Sequence, residues 1–145
     1  MLLTKELAVE LNLTHCRMKL FMAAMLKVNN IDLTPEQFLL VDMLWNHGDL
    51  KQQQLADGMQ KDKNSITKLT DALEQKGLVV RQQNPADRRS NTIVLTQKGH
   101  DLKDAGKAVG VAMLDKMLEG LAEEEIQAFL GLMKKISVNM DSFNK

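Results

Sequence analysis

Two short β-branched runs enclose one polar segment, and that arrangement leaves the middle of this chain few ways to fold. Leu78-Val79-Val80-Arg81 comes first. Asn84-Pro85-Ala86-Asp87-Arg88-Arg89-Ser90-Asn91 lies between, and Thr92-Ile93-Val94-Leu95-Thr96 follows. Runs of valine, isoleucine and threonine favour strands. Asn-Pro and the polar residues after it are turn chemistry. The segment therefore predicts a β-hairpin with Arg88 and Arg89 adjacent at its tip. An exposed arginine pair on a thin loop is poor material for a core. It suits a phosphate backbone or a narrow minor groove.

Helices are expected on both sides of the hairpin. Residues 5–28 place Leu7, Leu11, Met18, Met22, Met25 and Leu26 on a wide apolar arc. Thr34-Pro35-Glu36-Gln37 is a strong helix start: Thr34 caps, Pro35 suits the first turn, and Gln37 completes a capping box. That helix runs through Phe38, Val41, Leu44 and Trp45 towards Gly48. A short helix at 51–59 turns Leu55, Ala56 and Met59 inward. Asp62 caps the helix at 63–76, and Gly77 stands where a left-handed terminal residue is wanted. After the hairpin, Thr96 caps a long helix at 97–119. Gly106 and Gly110 lie on one of its faces, which suggests close approach to another helix. Gly120 breaks it. A last helix, 123–140, carries Ile126, Phe129, Leu130, Met133, Ile136 and Met140 at helical spacing. Ala122 is a weak cap, but Glu123, Glu124 and Glu125 suit the helix dipole.

A helix followed by a basic hairpin is the layout of a winged helix-turn-helix. The expected fold is mainly α with a small β-hairpin wing at 34–99, flanked by long terminal helices at 1–33 and 100–145, in one continuous structural domain. Terminal helices with broad apolar arcs most simply bury one another and a second copy of the chain. A two-fold homodimer is the commonest closed assembly.

Charge distribution carries more than total charge. The 145 residues sum to zero. Residues 61–99, however, hold eight basic side chains against four acidic ones, an excess of four positive charges that the flanks must cancel. A basic middle between acidic flanks is an electrostatic footprint for nucleic acid. No apolar run approaches twenty residues and no signal peptide is recognisable, so neither membrane nor export is indicated. The single cysteine, Cys16, excludes an internal disulfide and fits a cytoplasmic protein.

On a helical wheel of 63–76, Ile66, Leu69 and Leu73 form the expected buried stripe. Asn64, Thr67, Lys68 and Asp71 fall opposite, with Lys63 and Ser65 at the flanks. This outward face is small, polar and basic. Asparagine pairs with adenine, lysine with guanine or phosphate, and threonine with a thymine methyl or a phosphate. In the wing, an acidic residue beside two arginines repels phosphate unless it holds one of them. Asp87 is expected to orient Arg89, with Arg89 entering the minor groove and Arg88 meeting phosphate.

These pieces resemble the MarR family of bacterial regulators, the multiple antibiotic resistance type. The similarity rests on Leu55-Ala56, on Asp62-Lys63-Asn64-Ser65-Ile66-Thr67-Lys68-Leu69, and on Leu73-Glu74-Gln75-Lys76-Gly77-Leu78-Val79. Its most specific part is Asn84 to Ser90 followed by Leu95-Thr96-Gln97-Lys98-Gly99. The resemblance implies a winged-helix homodimer that binds pseudo-palindromic double-stranded DNA and usually represses nearby genes. It implies dimerisation through the terminal helices. It matches Asp87 and Arg89 to the wing aspartate and minor-groove arginine, and Asn64, Ser65, Thr67 and Lys68 to groove-reading positions. Lys68 stands where many members carry arginine.

The resemblance also implies a sensor. Family members respond to small phenolic or other aromatic ligands, to thiol oxidants or to metals. Met18, Met22, Met25, Met43, Met113 and Met117, with Trp45, lie on helices placed around the ligand site, and methionine adapts to varied apolar guests. Filling a core is the competing role for them. Cys16, between His15 and Arg17, is the candidate for redox sensing; a buried, inert thiol is the alternative. His15, His47 and His100 are scattered, and no metal-ligand spacing is present. No cofactor is implied. No nucleophile–base pair, phosphate loop or paired carboxylate indicates an enzyme. The alternative to a DNA-binding regulator is a winged-helix module that docks on an acidic protein.

Overall fold

A computed structural model describes residues 2–144, apart from the side chain of Arg88. Helix α1, Leu2–Val28, leads to a short loop and then α2, Pro35–His47. Local sequence sets the start of α2. The Thr34 hydroxyl accepts the Gln37 backbone N–H at 3.2 Å, and the Gln37 side chain accepts the Thr34 N–H at 3.2 Å. The capping box is therefore complete, with Pro35 in the first turn. A two-residue strand, β1 at Leu50–Lys51, precedes α3, Gln52–Met59. Helix α4, Lys63–Gln75, opens on Asp62, whose carboxylate accepts the Ser65 N–H at 2.7 Å. It closes before Gly77, whose φ of 75° is the left-handed conformation that glycine adopts without steric cost.

Strands β2, Val79–Asn84, and β3, Asp87–Leu95, form the hairpin. Both are longer than the β-branched runs alone predict, because cross-strand pairing carries Gln82, Gln83 and Asn84 into the ladder. The turn itself is Pro85-Ala86, so the two arginines begin β3 rather than form the tip. Register jumps from Gln83↔Asn91 to Asn84↔Asp87, which leaves residues 88–90 in an irregularity of the ladder. A third strand was not legible in the sequence: β1 pairs antiparallel with β3, Leu50 opposite Ile93, giving the sheet order β1-β3-β2.

Beyond the sheet lie α5, Gln97–Asp101, α6, Lys103–Met117, and α7, Glu123–Phe143. The single long helix expected at 97–119 is thus two. The interruption is slight. Leu102 stays right-handed and still donates to Lys98 O at 3.2 Å, while Gly106 donates to Leu102 O at 2.9 Å. At the start of α7 the Glu125 side chain accepts the Ala122 N–H at 2.9 Å, which compensates for the alanine cap.

The chain divides into two compact units, Met1–Gly110 and Val111–Lys145. In the first, Leu26, Leu40, Val41, Leu44, Leu55, Ile66, Leu73, Val79 and Ile93 are fully buried. These side chains come from α1, α2, α3, α4 and the sheet, so one apolar centre fixes the helices and the hairpin together. Each contributes about 1.5–3 kcal/mol by burial. On α4 the buried stripe is Ile66, Thr70 and Leu73, with Leu69 only half-buried. The Thr70 hydroxyl is accommodated because it donates to Ile66 O at 2.7 Å. In the second unit no residue of α7 is buried.

The glycines of α6 behave differently from the expectation of backbone approach. Gly106 lies against the indole of Trp45, whereas Gly110 makes only ordinary contact with Phe38.

Candidate nucleic-acid interface

Three elements converge on one side of the helix–hairpin unit. The amino end of α4 supplies Lys63, the start of α3 supplies Gln52 and Gln53, and β3 supplies Asp87, Arg89, Ser90 and Asn91. With Lys51 they line a groove of about 240 Å³. Lys63 and Arg89, expected from the sequence to share one function, therefore face one space. Lys51 and the two glutamines were missed. The signal was present in Lys51-Gln52-Gln53-Gln54, the polar opening of the helix that precedes the capped α4.

On α4, Asn64, Thr67 and Lys68 are exposed and Ser65 is half-buried. The Thr67 hydroxyl donates to Lys63 O at 2.9 Å, leaving its methyl group and lone pairs for an incoming partner. Asp62 is held below the usual carboxylate range, first by the Ser65 backbone N–H and then by the Ser65 side chain. A negative cap and the positive end of the helix dipole thus meet at the start of α4, next to Lys63.

The wing departs from one expectation. Asp87 does not hold the Arg89 guanidinium: among the described residues no ion pair joins them. Instead Asp87 Oδ1 accepts the Arg89 backbone N–H at 2.9 Å. Asn84 Oδ1 accepts the Ala86 N–H at 3.0 Å. Both are short side-chain-to-backbone turns, which compete well with a long, flexible ion pair on an exposed hairpin. Asp87 shapes the backbone from which Arg89 projects and leaves that side chain exposed. Arg88 was the second expected wing contact, and its side chain lies outside the described residues.

Further contacts hold this platform. Lys76 Nζ donates to Asp32 O and to Gln37 Oε1, both at 2.8 Å, tying the end of α4 to the start of α2. Lys61 donates to Glu36 at 3.1 Å, and this hydrogen bond is the first cause holding the Glu36 carboxyl below its ordinary value. Lys107 bridges α6 to Asp42 at 2.7 Å.

The expected sensor residues differ in burial. Met22, Trp45 and Met113 are buried, Met18, Met25 and Met43 half-buried. None of them lines the larger cavity of about 500 Å³, which lies between residues 30–33, the end of α4 and α5. Cys16 is exposed in the chain, so the buried alternative does not hold there. Among the described residues no group of three or more His, Cys, Asp or Glu could hold a metal, and no helix is long and apolar enough to cross a membrane.

A capped helix with a polar, basic face beside a hairpin that projects an arginine defines a winged-helix DNA-binding protein. Comparison with known proteins agrees. Residues 33–91 match the MarR family. HTH-type transcriptional regulator MhqR of Bacillus subtilis (strain 168) is 33% identical over 112 residues, covering 77% of each chain. HTH-type transcriptional repressor MdtR of the same organism is 36% identical over 94 residues, covering 64% of this chain and 60% of its own. The S. aureus MepR–DNA complex superposes with a TM-score of 0.83 at 25% identity, covering 91% of this chain and 96% of that one. The chain belongs to the MarR family. It is a DNA-binding transcription regulator and not an enzyme.

Proposed function

We propose that this regulator works in the cytoplasm as a homodimer on a pseudo-palindromic operator, with α4 in the major groove and the wing, residues 84–91, in the minor groove. The observation that carries the reading is the groove that joins Lys63 on α4 to Arg89 on β3. Base-edge contacts then fall to Asn64, Ser65, Thr67 and Lys68, the minor groove to Arg89, and phosphate to Lys63 and Arg88. Dimerisation through residues 1–33 and 100–145 is supported by apolar side chains left exposed: Leu7, Leu11 and Leu20 on α1, and Phe129, Leu130 and Ile136 on α7. Surfaces of that kind, where no helix among the described residues is long and apolar enough to cross a membrane, call for a protein partner. A two-fold dimer sets its two recognition helices about 34–36 Å apart, one DNA turn.

The sign of control proposed is repression, relieved by a small apolar or aromatic molecule. A repressor name among the relatives supports the first part. The adaptable side chains of Met18, Met22, Met25, Met43 and Met113, with the aromatic Trp45, support the second.

The test is selection from a random duplex library by the purified protein, with Arg89→Ala alongside. Recovery of an inverted repeat with half-sites about 10 bp apart, lost in the variant, is the expected result. A folded dimer that enriches no sequence at low salt would overturn the operator reading in favour of a wing that docks on an acidic protein.

A further inference from the structure

Arg81 on β2 grips α4 at three points. Its Nη2 lies 2.7 Å from Asp71 Oδ1 and donates to Thr67 O at 3.1 Å, while Nη1 pairs with Glu74 Oε1. Residues 67, 71 and 74 recur at helical spacing, so they form one stripe along α4. Asp71 and Thr67 belong to the face that carries Asn64 and Lys68. The face offered to DNA therefore contains acidic charge, and free carboxylates there would repel a duplex whose charge density is high. The arginine side chain is only 22% exposed, against 60% for Asp71, so the cation sits behind the acids rather than in front of them.

We infer that Arg81 is a positioning residue for DNA recognition, which by holding Thr67 O, Asp71 and Glu74 offsets part of the acidic charge of α4 and fixes that helix against the wing strand. Arginine suits this task because its planar fork presents five donors to several acceptors at once; an ammonium cannot satisfy the same three in that geometry. The inference rests on the operator-binding reading above.

The test is fluorescence anisotropy with the selected operator and with a scrambled duplex, over a range of salt. Wild type, Arg81→Gln, and Arg81→Gln combined with Asp71→Asn and Glu74→Gln are compared at equal folded fraction. Arg81→Gln is expected to weaken binding to both duplexes on the order of tenfold at low salt, by the cost of an unmasked like charge. The loss should shrink as salt rises. Neutralising the two acids should restore most of the affinity, which loss of a purely structural bridge would not allow. Wild-type affinity in Arg81→Gln, or a triple variant no better than Arg81→Gln, overturns the inference while leaving the operator reading intact. Failure of wild type to bind any duplex overturns that reading and this inference with it.

Discussion

The indole of Trp45 occupies the space in front of Gly106 on α6: a Cβ built on that glycine would stand 2.3 Å from the indole Cη2. The ring cannot give way cheaply. Its Nε1–H donates to Gly99 O at 3.0 Å, and Phe38 meets it edge-on at a centroid distance of 6.0 Å. Two effects oppose each other in Gly106→Ala. Helix propensity favours alanine by about 1 kcal/mol. Overpacking a fixed core costs about 1–3 kcal/mol. The clash should win, so Gly106→Ala is expected to be destabilised by roughly 1–2 kcal/mol in urea unfolding. An unchanged or raised midpoint would mean that the indole moves freely. Gly110, 3.7 Å from Phe38, is the internal control, and alanine there should be tolerated.

That pair also marks where the sequence stopped being readable. Glycines four apart on one helix face pointed to close packing, yet the partner of Gly106 proved to be the side chain of Trp45, far upstream in the chain. The same division recurs elsewhere. The Thr34–Gln37 box, the Asp62 cap and the positive φ of Gly77 were legible because each is settled within four residues. Strand β1 was not, because Leu50 and Lys51 become a strand only by pairing with Ile93 and Thr92. Gly99 stood out in a motif, but its reason is packing: a Cβ there would lie 2.3 Å from Leu78 O. At the candidate site, Lys63 and Arg89 were legible as basic residues in suggestive places. Lys51 joining them, and Arg81 answering Asp71, depend on how the sheet is laid against the helices.

Thr34 tests the local part of that reading. Its hydroxyl satisfies the Gln37 N–H, and its own N–H is satisfied in return. Thr34→Ala removes the first bond and should cost about 1 kcal/mol. Thr34→Ser keeps the acceptor and should lie close to wild type. Thermal unfolding of the two variants distinguishes a cap from simple packing, since both lose the methyl group.

Glu36 predicts a pH dependence. Its carboxyl is held below the ordinary value of 4.5, first by the hydrogen bond from Lys61 and further by the charges of Lys61 and Lys19. A folded-state value lowered in this way adds stability that is present above the unfolded value. It is lost as pH falls through the folded one. The side chain is 38% exposed, so solvent screens the pair. Glu36→Gln should therefore cost on the order of 0.5 kcal/mol at most near neutrality. The gap to wild type should close as pH falls through the lowered folded-state value. A gap of equal size in acid would assign the effect to the shape of the side chain instead.

Lys68 separates base reading from simple charge attraction. It is exposed on α4, one residue from Thr67 and one turn beyond Asn64, with its ammonium in no hydrogen bond or ion pair among the described residues. Lysine at a groove-reading position reaches guanine or phosphate as a point charge, without the bidentate fork of arginine. If it reads a base, Lys68→Ala should relax preference at one position of each half-site, at a cost of about 1–3 kcal/mol there. If it meets phosphate, affinity should fall evenly across sequences, and the slope of binding against salt should drop by about one per protomer. Its place beside Asn64 and Thr67 on one face favours base reading. Repeating the duplex selection with Lys68→Ala decides the matter, and Lys68→Arg should sharpen the preference for guanine at that same position.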